Sequence, residues 1–251
     1  MYDLLTIAAI AGAFFLAGTV KGVIGLGLPT VSLAILTVLI DIPNAMALML
    51  VPSFLTNLYQ ASIGGYGLLI LRRLWPVMLM ATITVWLGAI VLTRVDFSLL
   101  SALLGLLITI YGVISLVGVR LVVSQSRGNW LGPIAGAVNG FLTGMTGSFV
   151  FPGVMFLEAT GLTRDQFVQA MGILFTLSTL ALGVSLSANN LLNFSQGQIS
   201  TAALLPALAG MVVGRYVRHL LSPEIFRLVF FTALLMLGLY ILSLIHIRRS
   251  R

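Results

Sequence analysis

Ala17–Pro29 reads AGTVKGVIGLGLP. The apolar residues before it predict a membrane helix, and its own composition predicts that the helix stops. Gly22, Gly25, Gly27 and Pro29 lie close together; glycine permits positive φ and proline removes a donor. Irregular backbone at membrane depth is tolerated only where protein or water covers it. The stretch also holds Lys21, the only lysine in the chain. Two readings compete for it: the ammonium snorkels to headgroups, or it faces an internal cavity and holds something negative.

The rest of the chain makes a membrane the setting. Of 251 residues, 59% are hydrophobic and 8% charged, against about 25% charged in a soluble domain. Apolar runs of about 20 residues recur, the pattern of an all-α polytopic membrane protein. Strict two-residue alternation, the mark of a membrane barrel, is missing. The net charge of +7 sits mostly on arginines at segment ends, which reads as orientation charge rather than a nucleic-acid surface. With no cysteine, disulfides and thiolate metal sites are excluded. MYDLL at the start lacks a basic n-region and reads as the beginning of a helix, not a cleaved signal. No polar stretch is long enough for a soluble domain.

Ten apolar segments are expected: 4–22, 28–40, 45–63, 75–93 and 97–119 in the first half, and 130–146, 149–159, 165–188, 199–219 and 225–247 in the second. The second of each half is short, reaching only about 20 Å and about 16 Å as a helix, against a hydrocarbon core of about 30 Å. AGTVKG (Ala17–Gly22) matches AGAVNG (Ala135–Gly140) at four of six positions. Ala47, Ser53 and Thr56 align with Ala170, Thr176 and Thr179 at one offset, and Gly88 and Gly112 with Gly214 and Gly238 at another. These matches predict two repeats of about five segments, 1–121 and 128–251, within one membrane domain. Each repeat has one short segment, broken or re-entrant. If both opening segments of a half cross or return together, each half makes an odd net count and the repeats are inverted. Arg72/Arg73, Arg120/Arg127 and Arg215/Arg218 then share a cytoplasmic side. Arg248, Arg249 and Arg251 fall outside, against the rule.

Paired, interrupted segments in matching positions point to a transporter's binding site. The second interruption is TGMTGSFVFP, which contains Gly144, Gly147, Ser148 and Pro152. A short helix starting after each break would offer free N–H groups to an anion, with Pro29 and Pro152 in its first turn. Ser148 is expected to cap the second short helix or to donate its hydroxyl to a ligand. The AGTVKG/AGAVNG alignment sets Asn139 opposite Lys21. Ser53, Thr56, Asn57 and Gln60 share one face of the third segment, and Gln169, Gly172, Thr176, Thr179 and Gly183 one face of the eighth. These faces line a cavity, or else bond back to their own helices and pack. Pro52 should kink its helix beside that face. Gly132, Gly136, Gly140 and Gly144 form a ridge for close helix approach. The six acidic residues (Asp3, Asp41, Asp96, Glu158, Asp165, Glu224) all lie near segment ends, so none is placed to relay a proton or hold sodium. His219 and His246 lie near ends as well, which argues against a metal site and against an enzyme. No cofactor is implied.

The glycine-rich break, its echo in the second half and GLTRDQFVQAMGILFTLSTLAL (Gly161–Leu182) together resemble the TauE/SafE sulfite exporter family. The likeness covers essentially the full length. It implies an inner-membrane protein moving sulfite, sulfonates such as sulfoacetate, or related small anions. It carries Lys21, Gly22, Gly25, Gly27 and Pro29, and Asn139, Gly140, Gly144, Gly147 and Pro152, as the matching motif positions. Ser148 and Phe149 stand where many relatives continue with glycines. The expectation is a secondary transporter or uniporter, most plausibly a sulfite exporter. Its substrate site would lie between the halves: charge from Lys21, backbone from Gly22, Gly25, Gly27, Gly144 and Gly147, and neutral hydrogen bonds from Ser53, Asn57, Asn139, Ser148 and Thr176. Its partners are a small anion and membrane lipid, not nucleic acid, with a homo-oligomer left open. Two alternatives stand beside this: a channel-like anion pore, and a non-transporting membrane subunit or sensor.

Overall fold

The computed structural model describes residues 3–118, 122–220 and 222–249. Arg120 and Arg251 lie outside the described residues, as do the side chains of His246, Arg248 and Arg249. Ten helices and no strand are present among the described residues. They are α1 (Leu4–Ile24), α2 (Leu28–Leu39), α3 (Ile42–Ser62), α4 (Gly67–Leu92), α5 (Phe97–Val117), α6 (Gln125–Thr146), α7 (Gly153–Ala159), α8 (Arg164–Ala188), α9 (Phe194–Leu220) and α10 (Pro223–Arg249). Each expected segment has a helix. Six of them, α1, α4, α5, α8, α9 and much of α10, are long and apolar enough to cross a membrane. α2 and α7 are the short pair, about 18 Å and about 10 Å long. α7 starts four residues later than expected, because Phe149–Pro152 is not helical.

The helices fall into two compact units. The first takes α1, α2, the start of α3, α5, α9 and α10; the second takes the end of α3, α4, α6, α7 and α8. The boundary within α3 lies between Pro52 and Ser53. Each unit thus draws helices from both halves of the sequence.

Glycine decides the closest packing in each unit. In the first, Gly18 and Gly22 of α1 face the backbone of Ala207 and Met211 of α9, and Gly210 and Gly214 of α9 face Phe15 and Thr19. The pairs advance together along both helices, so α1 and α9 run parallel. In the second unit, Gly136, Gly140 and Gly144 of α6 face Val77, Ala81 and Val85 of α4, again in parallel order. No side chain fits at these contacts, and the ridge does what the spacing predicts. Thr84 Oγ1 donates across this contact to the Ala137 carbonyl at 2.8 Å. α5 and α10 run antiparallel, with Gly105 and Gly112 against Gly238 and Leu235 and the Tyr111 and Phe231 rings edge to face at 5.3 Å.

Pro52 leaves a mark on its helix. Lacking an N–H, it cannot serve the Leu48 carbonyl one turn back. Ser200 Oγ of α9 donates to that carbonyl at 2.8 Å and accepts from the Val51 N–H at 3.1 Å. In the second unit, Gln169 and Gln60 tie α3 to α8. Gln169 donates to the Ala61 carbonyl at 2.8 Å and accepts from the Tyr66 N–H at 2.9 Å. Gln60 donates to the Val168 carbonyl at 2.7 Å. Both glutamines therefore hold helices together instead of lining a cavity.

Candidate functional site

The first break is built as the sequence suggests. α1 ends at Ile24, and Gly25 (φ 87°) turns the chain into the left-handed region while its N–H donates to the Lys21 carbonyl at 2.7 Å. Gly27 (φ 105°) precedes α2, and Pro29 sits in the first turn. Leu28, Pro29 and Thr30 are all buried. Thr30 Oγ1 is buried without a hydrogen-bond partner.

Lys21 lies one turn before the break, in the last turn of α1, where the helix C-terminus favours a cation. It is 4% exposed. A snorkelling lysine covers apolar surface with its stem and keeps its head in water; this one is buried almost whole. Among the described residues it is the only charged side chain that is buried. All six carboxylates are exposed.

The second break shares that backbone turn and differs in its polar groups. α6 ends at Thr146, and Gly147 (φ 74°) donates its N–H to the Thr143 carbonyl at 2.7 Å. Thr143 Oγ1 donates to the Ser148 carbonyl at 2.8 Å, and the Ser148 N–H donates to Thr146 Oγ1 at 3.3 Å. Phe149 is fully buried, its ring 5.7 Å from that of Phe175. Asn139 accepts the Gly153 N–H at 3.0 Å through Oδ1. A backbone amide only donates, so the asparagine must turn its oxygen to Gly153 and its NH2 away. That NH2 is buried with no partner.

Three expectations change here. Gly25 and Gly147 are equivalent in construction, which pairs Lys21 with Thr143, one turn beyond Asn139. The glycine contacts agree: Gly18 meets Ala207 as Gly140 meets Ala81, and Gly22 meets Met211 and Gly214 as Gly144 meets Val85 and Gly88. The AGTVKG/AGAVNG match is therefore slipped by a turn, as short small-residue motifs repeating every fourth position easily are. Second, Ser148 does not cap α7, which begins at Gly153; the position before it is Pro152, which is thus not a first-turn proline. Third, α7 has few free donors to offer. The N–H groups of Gly153, Val154 and Phe156 go to Asn139, Val150 and Pro152.

The remaining expected residues divide. Ser53 and Asn57 are fully buried on α3, and Ser53 Oγ has no hydrogen-bond partner. Thr176 Oγ1 bonds back to the Gly172 carbonyl at 2.6 Å and Thr179 Oγ1 to Phe175 at 2.6 Å, the packing reading of that face. Gly22 and Gly144 serve close helix contact. The sequence reading passed over Thr30, Ser178 and Ser185, whose buried hydroxyls have no partner. Ser178 and Ser185 stand seven residues apart on α8, a spacing that puts them on one face; Thr30 follows the proline that opens α2. No group of acidic or histidine side chains suited to a metal ion occurs among the described residues.

The model of the sulfite exporter TauE/SafE family matches residues 10–241. The chain belongs to the TauE/SafE family. Neither curated proteins nor solved structures give a match. With six apolar helices of membrane-crossing length, this TauE/SafE chain is a multi-pass membrane protein of a transporter family. Both helix breaks and the buried lysine fall inside the matched region.

Proposed function

We propose that this TauE/SafE protein exports a small sulfur oxyanion or sulfonate, sulfite first among them, across the inner membrane as a uniporter or secondary transporter. The observation that carries the reading is Lys21, a buried lysine one turn from a helix break. In a low-dielectric interior a cation attracts any anion that reaches it far more strongly than in water. Thr30 at the start of α2 is a buried neutral donor beside the same break, and with Gly25 and Gly27 it completes the contacts proposed around Lys21. Within the second unit, taken by itself, Ser53, Asn57, Asn139, Ser148 and Gly147 are the polar and backbone groups proposed to meet the substrate, and the Asn139 NH2 and Ser53 hydroxyl are its buried neutral donors.

The energetics favour export. An interior-negative membrane drives an anion outward by about 2.3 kcal/mol per charge per 100 mV, and a divalent anion by twice that. No acidic residue is buried to bind a coupling ion. Like construction of the two breaks and like glycine contacts of α1 with α9 and of α6 with α4 support a duplicated architecture. We read the repeats as inverted, with alternating access by one rocking against the other.

The test is sulfite flux from proteoliposomes. Lys21→Met should reduce efflux to background while the protein still inserts and elutes as the wild type does, and Lys21→Arg should retain part of it. An interior-negative potential should accelerate wild-type efflux. Wild-type flux from Lys21→Met would remove the lysine from the mechanism.

A further inference from the structure

A cleft of about 860 Å3 opens in the second unit, between the N-terminal ends of α4 and α6 and the end of α7. It contains none of Ser53, Asn139, Ser148 or Thr176, so the transport reading does not account for it. Its origin is in the glycine ridge. Gly136 of α6 lies against the Val77 backbone, and at Gly132 the nearest atoms are side-chain atoms of Val77 and Phe156. One turn earlier, Gly128 meets only Val123 of its own leading segment. The two parallel helices therefore part toward their starts. The Val123 N–H donates to the Ala159 carbonyl at 2.9 Å, which ties the segment before α6 to the end of α7.

The walls are of two kinds. Leu68, Leu69, Trp75, Val77, Pro133 and Phe156 give an apolar side. Arg72, Arg73 and Asn129 give a polar one. Arg73 is held by one donation, Nη2 to the Thr160 carbonyl at 2.7 Å, which leaves most of its five N–H donors for something else. Arg72 is exposed. No acidic residue lines the cleft or stands in the first turn of either helix. Glu158, the nearest acid in sequence to its rim, is exposed and outside the lining. Trp75 and Tyr66 line the cleft too, residues that favour the headgroup level of a membrane.

We infer that this cleft is a binding site for an anionic phospholipid, with the phosphate on Arg72 and Arg73 and an acyl chain along the leucine and tryptophan wall. Guanidinium groups match phosphate oxygens in pairs. A free phosphate would use the arginines and leave the apolar wall unused. A zwitterionic lipid would bring its own cation against two others. Basic pockets between membrane helices are suited to such headgroups.

The experiment uses the full chain in neutral detergent, with bound lipid read by native mass spectrometry and stability by thermal unfolding. The probes are dioleoyl phosphatidylglycerol, dioleoyl phosphatidylcholine and sn-glycerol 3-phosphate. Phosphatidylglycerol should bind and raise the unfolding temperature; phosphatidylcholine and glycerol phosphate should do neither. The double variant Arg72→Gln/Arg73→Gln should weaken phosphatidylglycerol binding about thirtyfold, the effect of two cations near a membrane surface. Arg215→Gln/Arg218→Gln, at exposed positions of α9, should leave it unchanged. If the cleft variant does not fold, Asn129→Trp fills the cleft with both arginines intact and should also expel the lipid. Unchanged phosphatidylglycerol binding in a folded cleft variant, or equal binding of phosphatidylcholine, overturns the inference. Stabilisation by glycerol phosphate equal to that by the lipid also overturns it and makes the cleft a soluble-phosphate site.

Discussion

Gly153→Ala tests the second break through a single hydrogen bond. A β-carbon on Gly153 would lie 2.6 Å from Asn139 Oδ1 and 2.7 Å from its Cγ. Ordinary contact begins near 3.4 Å, so the amide must retreat by about 0.8 Å. That retreat stretches the Gly153 N–H to Oδ1 bond, now 3.0 Å, beyond hydrogen-bonding range. Asn139 is fully buried. The cost is that of an unsatisfied buried N–H, about 1–3 kcal/mol. Asn139→Ala removes the same bond from the other side and should cost the same about 1–3 kcal/mol. In the double variant, the new methyl enters the space that the asparagine leaves. The two losses therefore should not add, and the double variant should be no less stable than either single, a coupling of about 1–3 kcal/mol. The assay is the unfolding midpoint of all four proteins in one detergent, with Gly12→Ala as control, since a β-carbon there meets nothing within 4 Å. Strict additivity, or a Gly153→Ala variant as stable as Gly12→Ala, would refute the contact between Asn139 and the start of α7.

Three other perturbations read other parts of the fold. Ser200→Ala leaves the Leu48 carbonyl and Val51 N–H without the hydroxyl that serves both, and should destabilise by about 1–3 kcal/mol. Pro52→Ala in that background restores an N–H for Leu48, so the unfolding midpoint should recover in part; no recovery contradicts the account. Gly25→Ala and Gly147→Ala each force a side chain into the left-handed region (φ 87° and 74°) at about 1–2 kcal/mol, and asparagine should be tolerated better at both positions; equal midpoints for alanine and asparagine speak against it. Asp3 accepts the Thr6 N–H at 3.1 Å, and these bonds to Thr6 hold its carboxyl below the ordinary 3.8. Its contribution is thus present above 3.8 and lost as the pH falls through the lower folded value. Once corrected for the intrinsic pH dependence of exchange, protection of the Thr6 amide should drop on that side; constant protection would show that the cap does not act.

The breaks were legible because their residues have few other uses. Gly25, Gly27 and Pro29 in an apolar run leave a helix no means of continuing, and the structure stops α1 at Ile24 and starts α2 at Leu28. The burial of Lys21 was not legible. Length along α1 placed it within reach of a membrane face, and only the packing of α1 against α9 and α2 decides that its head is covered. The register of the two halves misled for a related reason. Small residues recur every fourth position through α6, so a six-residue motif matches almost as well one turn away. Fixing the register takes a second helix, and Ala81 and Ala207 supply it through their contacts with Gly140 and Gly18. The two glutamines show the limit of face analysis. Gln60 and Gln169 lie on the polar faces the spacing predicts, yet their partners are backbone groups of a helix remote in sequence.

The corrected register changes what each break can contribute. With Lys21 paired to Thr143, the charged position of one break has a hydroxyl as its counterpart, and that hydroxyl is occupied by the Ser148 carbonyl. The second break therefore uses polar groups of its own to hold an irregular segment together: Thr143, Thr146, the Ser148 backbone and the Asn139 oxygen all bond within it. The Asn139 NH2 is left over, and it can only donate. The first break needs no such bracing, since Gly27 leads directly into α2, and its polar groups are a buried lysine and a buried threonine hydroxyl. Thr143→Lys should therefore take from the Ser148 carbonyl the hydroxyl that serves it, and Asn139→Lys should take from the Gly153 N–H its acceptor, so both should lower the unfolding midpoint.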